Sequence, residues 1–316
     1  MRMIGLTAYG ICVKNKEDNL KLEIHDVNGK ELIEIVNDAI ETEKSKYETD
    51  ENNESVFCYD ASEIEKVYDT DGREIFKILY VRVKTGEYGI ETEIVDTRTG
   101  RVSHNRTPQE ADVMPFGFAI CIPADEADNG ILILQSSGRN GIKFVLNKHL
   151  NKIIKQTNAD YRLEMSIVVP RVILNRFFEH GILKAIHFIQ YEIPEDDSER
   201  LGINHSEETK MDVTIRKPLG FIQNKARELG EWRRGERAFS DIVQIEGFEY
   251  DELKMDFKLG NSLKTINLSN IDSLQMVEDI TDKVNLEGGH PTFDSLKVQM
   301  KQIGKEYLIA KGLIIE

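Results

Sequence analysis

Ile75-Phe-Lys-Ile-Leu-Tyr-Val-Arg-Val83, then Thr85-Gly86-Glu87, then Tyr88-Gly-Ile-Glu-Thr-Glu-Ile-Val95 is the stretch whose reading decides the fold. Two runs rich in β-branched and aromatic residues, separated by a short Gly-containing segment, read as a β-hairpin. Thr97-Arg98-Thr99-Gly100 reads as a second turn, and Phe116–Pro123 and Gly130–Gln135 as two further strands around the acidic turn Asp125–Asn129. Consecutive strands with short connections imply an antiparallel meander, because parallel strands need long crossovers.

Working toward the N-terminus, Ile4–Val13 is an apolar strand and Leu20–Ile24 alternates with period two. Asn28-Gly29 marks a turn, and Glu31–Glu43 sets Leu32, Ile35, Val36, Ala39 and Ile40 on one helical face. Glu41–Glu54 is almost wholly polar and reads as a loop or frayed helix end.

Toward the C-terminus, Ile142–Ile154 is helical and Arg162–Val169 a strand. Arg171–Glu179 is a helix opened by Pro170 and stopped at His180-Gly181, and Leu183–Ile193 is another strand. That order is compatible with half of a ferredoxin-like unit. The acidic segment Pro194–Glu208 marks a boundary. Beyond it come strands at Met211–Arg216, Ile242–Glu246, Leu253–Leu259 and Leu263–Leu268, a helix at Gly220–Leu229 and a final helix at Asp294–Ala310. The expectation is an α+β fold of mixed, largely antiparallel sheets with packed helices. Its two domains are expected at residues 1–194 and 195–316.

Hydrophobic residues make up 40% of the 316, enough for a sizeable core. No apolar run reaches the roughly 20 residues of a membrane helix, and the first residues lack the apolar core of a secretory leader. The three cysteines, Cys12, Cys58 and Cys121, are an odd and sparse set that fits a reducing compartment. Cys12 and Cys121 sit in apolar runs as small core residues. A cytoplasmic protein is expected. Its net charge is −15, from 41 basic and 56 acidic residues, so it repels a nucleic-acid backbone at long range. DNA contact would have to come from local basic patches. The acidity also suits docking to a basic partner or mimicry of DNA.

Chemistry-bearing motifs are few. Gly-x-Ser-x-Gly is absent, and Ser136-Ser137-Gly138 has its glycine misplaced for a nucleophile elbow. Gly138-Arg139-Asn140-Gly141-Ile142-Lys143 leads from strand to helix without phosphate-loop spacing. Arg139 and Lys143 would nonetheless add positive charge at a helix start, where backbone amides attract anions. No two of the seven histidines lie within four residues of each other, so no metal site is expected and no cofactor is implied. His187, between apolar neighbours in a strand, reads as a satisfied face histidine.

A metal-dependent nuclease could use Glu195 or Asp196 with Glu208 and Lys210. Such Asp/Glu-x-Lys tripeptides occur no more often than the composition dictates. The clearest departure from the acidic background is Ile215–Ser240, with seven cations (Arg216, Lys217, Lys225, Arg227, Arg233, Arg234 and Arg237) against Glu228, Glu231 and Glu236. Trp232, the sole tryptophan, stands beside the arginine pair. Arginines with an aromatic can bind phosphates and stack on bases. The competing reading is a charged helix whose arginines pair with its glutamates, with Trp232 as a packing anchor.

One further pattern bears on function. Met114-Pro-Phe-Gly-Phe-Ala-Ile-Cys-Ile-Pro123 is followed by an acidic turn, Gly130-Ile-Leu-Ile-Leu-Gln135, and the helix Ile142–Ile154. Then come Arg162-Leu-Glu-Met-Ser-Ile167, a Pro-started helix, and Lys184-Ala-Ile-His-Phe-Ile189. From Met114 to Tyr191 this order resembles the RexA-type phage-exclusion proteins of temperate phages. The resemblance implies a non-enzymatic homodimer that binds double-stranded DNA with little sequence preference. It also implies signalling of infection to a separate effector, which could be membrane-bound. It implies no catalytic residue and no small-molecule substrate.

Overall fold

We analysed a computed structural model of the 316-residue chain. It describes residues 2–138, 140–167, 178, 180–191, 210–233, 236–237, 241–243, 250–259, 262–268 and 277–315. The fold is α+β, with mixed, mainly antiparallel sheets. The chain groups into two compact units, Met1–Ser166 with Met276–Glu316, and Ile167–Gln275.

The first unit opens with β1 (Ile4–Asn15), α1 (Leu32–Glu43), β2 (Glu48–Asp50), β3 (Ser55–Tyr68) and β4 (Glu74–Glu87). It continues with β5 (Thr92–Asp96), β6 (Arg101–Arg106), β7 (Asp112–Pro123), β8 (Gly130–Ser137), β9 (Asn140–Gly141), α2 (Lys143–Thr157) and β10 (Tyr161–Ile167). The second unit holds β11 (Ile182–Tyr191), β12 (Lys210–Arg216), α3 (Phe221–Asn224), α4 (Ala226–Arg233), β13 (Glu252–Leu259) and β14 (Ser262–Asn267). The chain then returns to the first unit with β15 (Val277–Asp279), β16 (Leu286–Glu287), β17 (His290–Pro291) and α5 (Phe293–Ala310).

The main sheet runs β10-β1-β8-β7-β4-β3-β2, with β15 added on β1 and β9 on β8. Its central strands β1, β8, β7 and β4 are largely buried on both faces, and period two sorts their side chains. Phe116, Phe118, Ile120 and Ile122 of β7 join the core formed with Leu32, Val36 and Ile40 of α1 and Leu146, Leu150 and Ile154 of α2. Gly117 and Cys121, one residue out of phase, face α5 instead. A Cβ at Gly117 would stand 2.4 Å from Leu296 Cδ2. The result is three layers, with two helices on one face and one on the other. At its outer side α5 is held by charge, with Lys297 Nζ 2.7 Å from Glu63 Oε2 and Lys301 paired to Glu65 on β3.

The second unit is a four-stranded antiparallel sheet ordered β12-β11-β13-β14. Leu253, Met255 and Phe257 alternate with Glu252, Lys254 and Asp256, so one face is apolar and the other polar.

Several expectations need correcting. Thr85-Gly86-Glu87 is no turn: β4 runs through it, and Gly86 pairs with Val56 on one side and Val113 on the other. Glycine serves there because a Cβ would lie 2.0 Å from the Asp112 carbonyl oxygen. The hairpin partner of β5 is β6. Leu20–Ile24 forms no strand beyond a single bridge of Lys21 to Lys14. Part of Glu41–Glu54 is ordered as β2, an edge strand paired to β3. β10 and β11 belong to different sheets, which removes the ferredoxin-like unit. The grouping also differs from a division at residues 194 and 195, since β11 pairs with both β12 and β13 while α5 packs on β7 and β8. The Pro170-started helix falls largely outside the described residues. Among the described residues no helix is long and apolar enough to cross a membrane.

Candidate nucleic-acid interface

Helix α2 reads Lys-Phe-Val-Leu-Asn-Lys-His-Leu-Asn-Lys-Ile-Ile-Lys-Gln-Thr, with four lysines and no carboxylate. Its apolar stripe (Leu146, Leu150, Ile153 and Ile154) is buried, which forces the lysines outward. Two of them are neutralised by the acidic strand opposite. Lys148 Nζ is 2.5 Å from Asp50 Oδ2, and Lys152 Nζ is 2.7 Å from Glu48 Oε1. Lys148 and Asn53 together hold the Asp50 carboxyl down at about 2.

Lys143, in the first turn, behaves differently. Its Nζ stands 4.4 Å from the centre of the Tyr9 ring, a cation–π geometry that leaves the charge unneutralised. No side chain caps the N-terminus of α2.

Lys143 also borders a hollow of about 570 Å³ with Lys14 and Lys21, Asn147 of α2, Glu164 of β10, and Lys311 just past α5. Four lysines thus face one carboxylate. Lys14 takes up Glu164 at 2.6 Å, and Glu164 also holds Arg162 at 2.7 Å. Lys21 reaches Asp128 at 3.2 Å. Lys311 has no carboxylate partner among the described residues. Desolvation, with the like charge of Lys21 second, lowers its pKa below that of an ordinary lysine. An anion placed in the hollow would relieve that repulsion. The buried Cys12 thiol lines the same wall, and burial pushes its pKa up, so it acts as a wall and not as a nucleophile.

The sequence also singled out other cations. Arg139 lies outside the described residues, as do Arg234 and the side chain of Arg233. Arg216 and Lys217 are exposed at the end of β12. The neighbouring helices follow the ion-pairing reading. Lys225 meets Glu228 at 3.3 Å, and Arg227 and Arg237 share Glu231 at 3.1 and 3.3 Å. Trp232 meets Phe178 edge-on at 5.6 Å, and Phe178 packs on Phe257 of β13. The indole therefore anchors α4 to its sheet. Sequence reasoning found Lys143 but missed Lys14, Lys21 and Lys311. The signal within reach was the acid-free lysine run of α2.

Two histidines belong to other environments. His149 of α2 is buried, stacked on Phe57 with ring centres 3.9 Å apart. Burial lowers its pKa to about 4 despite the nearby Glu48 carboxylate, so it is a neutral ring at pH 7. His187, on the polar face of the second sheet, has Nδ1 3.0 Å from Thr214 Oγ1 and Nε2 2.9 Å from Asp256 Oδ2. Asp256 also accepts from Thr265 at 2.5 Å. This ladder ties β12, β11, β13 and β14 together side by side, as a satisfied face histidine does.

Of the residues a metal-dependent nuclease would need, Glu195, Asp196 and Glu208 lie outside the described residues. Lys210 is exposed at the start of β12. Among the described residues no three His, Cys, Asp or Glu side chains gather to hold a metal ion. A scan of protein families finds no match to the chain, and a search of curated proteins finds none either.

Proposed function

We propose that this chain is a non-enzymatic DNA-binding protein, acting in the cytoplasm as the infection-sensing component of a bacterial anti-phage system. The observation that carries the DNA-binding part is the lysine hollow beside the start of α2. Lys311 and Lys143 stand there without a carboxylate partner among the described residues, in a chain whose net charge is −15. Unneutralised lysines in a hollow are what a phosphate backbone displaces counterions to reach. The anti-phage part rests on the resemblance of the sequence pattern from Met114 to Tyr191 to phage-exclusion proteins. A homodimer that signals to a separate effector belongs to the same reading.

A gel-shift titration with duplex DNA across a salt series tests it. Binding should be clear near 50 mM salt and should weaken linearly on a log–log scale, by roughly 0.9 in slope per phosphate contacted. Absence of any shift at that salt would overturn the proposal.

A further inference from the structure

Residues 97–107 read Thr-Arg-Thr-Gly-Arg-Val-Ser-His-Asn-Arg-Thr, with three arginines and no carboxylate, in a chain with 56 acidic residues. The structure places them on the tip and return strand of the β5–β6 ribbon. The tip closes with Gly100 at φ +68°, its N–H donating to the Asp96 carbonyl at 2.8 Å. The ribbon continues outward from the β4–β7 ladder, whose last pair is Glu87 with Asp112. Its two strands form a sheet of their own, paired only with each other among the described residues. An isolated two-stranded ribbon is marginal in water, yet this one leaves Ile94, Val95 and Val102 nearly half exposed.

Charge decides what such an arm fits. The Arg98 side chain is 89% exposed, and Arg101 beside it has no side-chain partner among the described residues. Asp96, beside the tip, accepts from the Arg98 backbone N–H at 2.8 Å and lies 3.5 Å from the Arg98 guanidinium, an exposed pair that solvent screens, so Arg101 is the tip cation that forms no salt bridge among the described residues. Along the return strand Ser103 donates to the Ile94 carbonyl at 2.8 Å and His104 meets Glu110 at 3.1 Å, which fix the ribbon, while Asn105 is an exposed amide. The base of the ribbon is fixed. Arg106 donates to the Ile90 carbonyl at 3.2 Å, and both residues line a hollow of about 580 Å³ with Phe144 in the first turn of α2. The ribbon thus stands beside the first turn of α2. A two-stranded ribbon fits the B-DNA major groove, where arginine pairs with guanine and asparagine with adenine.

We propose that the β5–β6 ribbon is a groove-entering arm that contacts duplex DNA through Arg98 and Arg101. This rests on the DNA-binding reading and names the element that enters the duplex. The test uses the full chain and a fluorescent mixed-sequence duplex at low salt, comparing wild type with Arg98→Ala/Arg101→Ala. Both side chains lie at an exposed turn, so the melting temperature should not move. Affinity should fall by at least about tenfold, and the salt slope by about 2. If wild type binds and the double variant binds equally with the same slope, the arm is overturned while DNA binding stands. If wild type does not bind, both readings fall. If the variant instead dissociates a dimer without touching DNA affinity, the ribbon serves a second copy of the chain and the proposal is overturned.

Discussion

Gly304 of α5 lies so close to Cys121 of β7 that a Cβ on residue 304 would stand 2.5 Å from the Cys121 sulfur. A glycine inside an 18-residue helix ordinarily weakens it. Here it lets the helix reach the sheet. Gly304→Ala should therefore destabilise the protein by about 1–3 kcal/mol, although alanine is the better helix former. Urea unfolding measures it. Adding Cys121→Ala should restore part of the loss, because the sulfur is what the new methyl meets. A stabilised single variant would show that α5 does not sit as described.

His149 makes stability depend on pH in a defined direction. Its folded pKa, about 4, lies below the unfolded value of 6.5. Between those values the unfolded chain binds more protons, so stability rises with pH. The contribution is complete above the unfolded value and is lost as pH falls toward 4, by up to about 3 kcal/mol. Denaturation at pH 7 and pH 5 should show wild type losing more than His149→Phe, whose ring can keep the stack on Phe57. Equal losses would mean that the histidine is already solvated.

Asp256 shifts stability in the same direction with pH, but in a more acidic window and through its charged form. Burial pushes its pKa up, but hydrogen bonds from Thr265 and His187 outweigh that and leave it below an ordinary aspartate. A carboxylate lowered in this way stabilises above its unfolded pKa, and the effect is lost as pH falls through the folded one. Asp256→Asn should cost about 1–3 kcal/mol at neutral pH, and less in acid. Chemical denaturation followed through Trp232 fluorescence reads the second unit. A pH-independent effect would remove the charge from the explanation.

Elements with a full period were legible in the sequence. Leu296, Met300, Ile303, Tyr307 and Leu308 repeat at helical spacing, and all are buried in α5. Phe116–Pro123 and Gly130–Gln135 fall inside β7 and β8. Local signals misled where tertiary contact set the outcome. Gly86 carries the mark of a turn, but the neighbouring Asp112 backbone is what demands a glycine. Leu20–Ile24 alternates like a strand but finds a partner only at Lys21. The lysine hollow was not legible, because Lys14, Lys21, Lys143 and Lys311 come from both ends and the middle of the chain, and only the folded unit gathers them. The arginine segment was conspicuous in composition, yet three of its cations are committed to glutamates one helical turn away or at the next bend.

The DNA-binding claim itself is tested most directly by the salt dependence of duplex affinity in Lys21→Ala/Lys143→Ala/Lys311→Ala, with Arg227→Ala/Arg237→Ala as the control. The account predicts that the triple variant loses about 2 to 3 from the log–log slope, while the control, whose arginines are held by Glu231, keeps the wild-type slope. A triple variant that binds with the wild-type slope, or a control that loses as much as the triple variant, would contradict it.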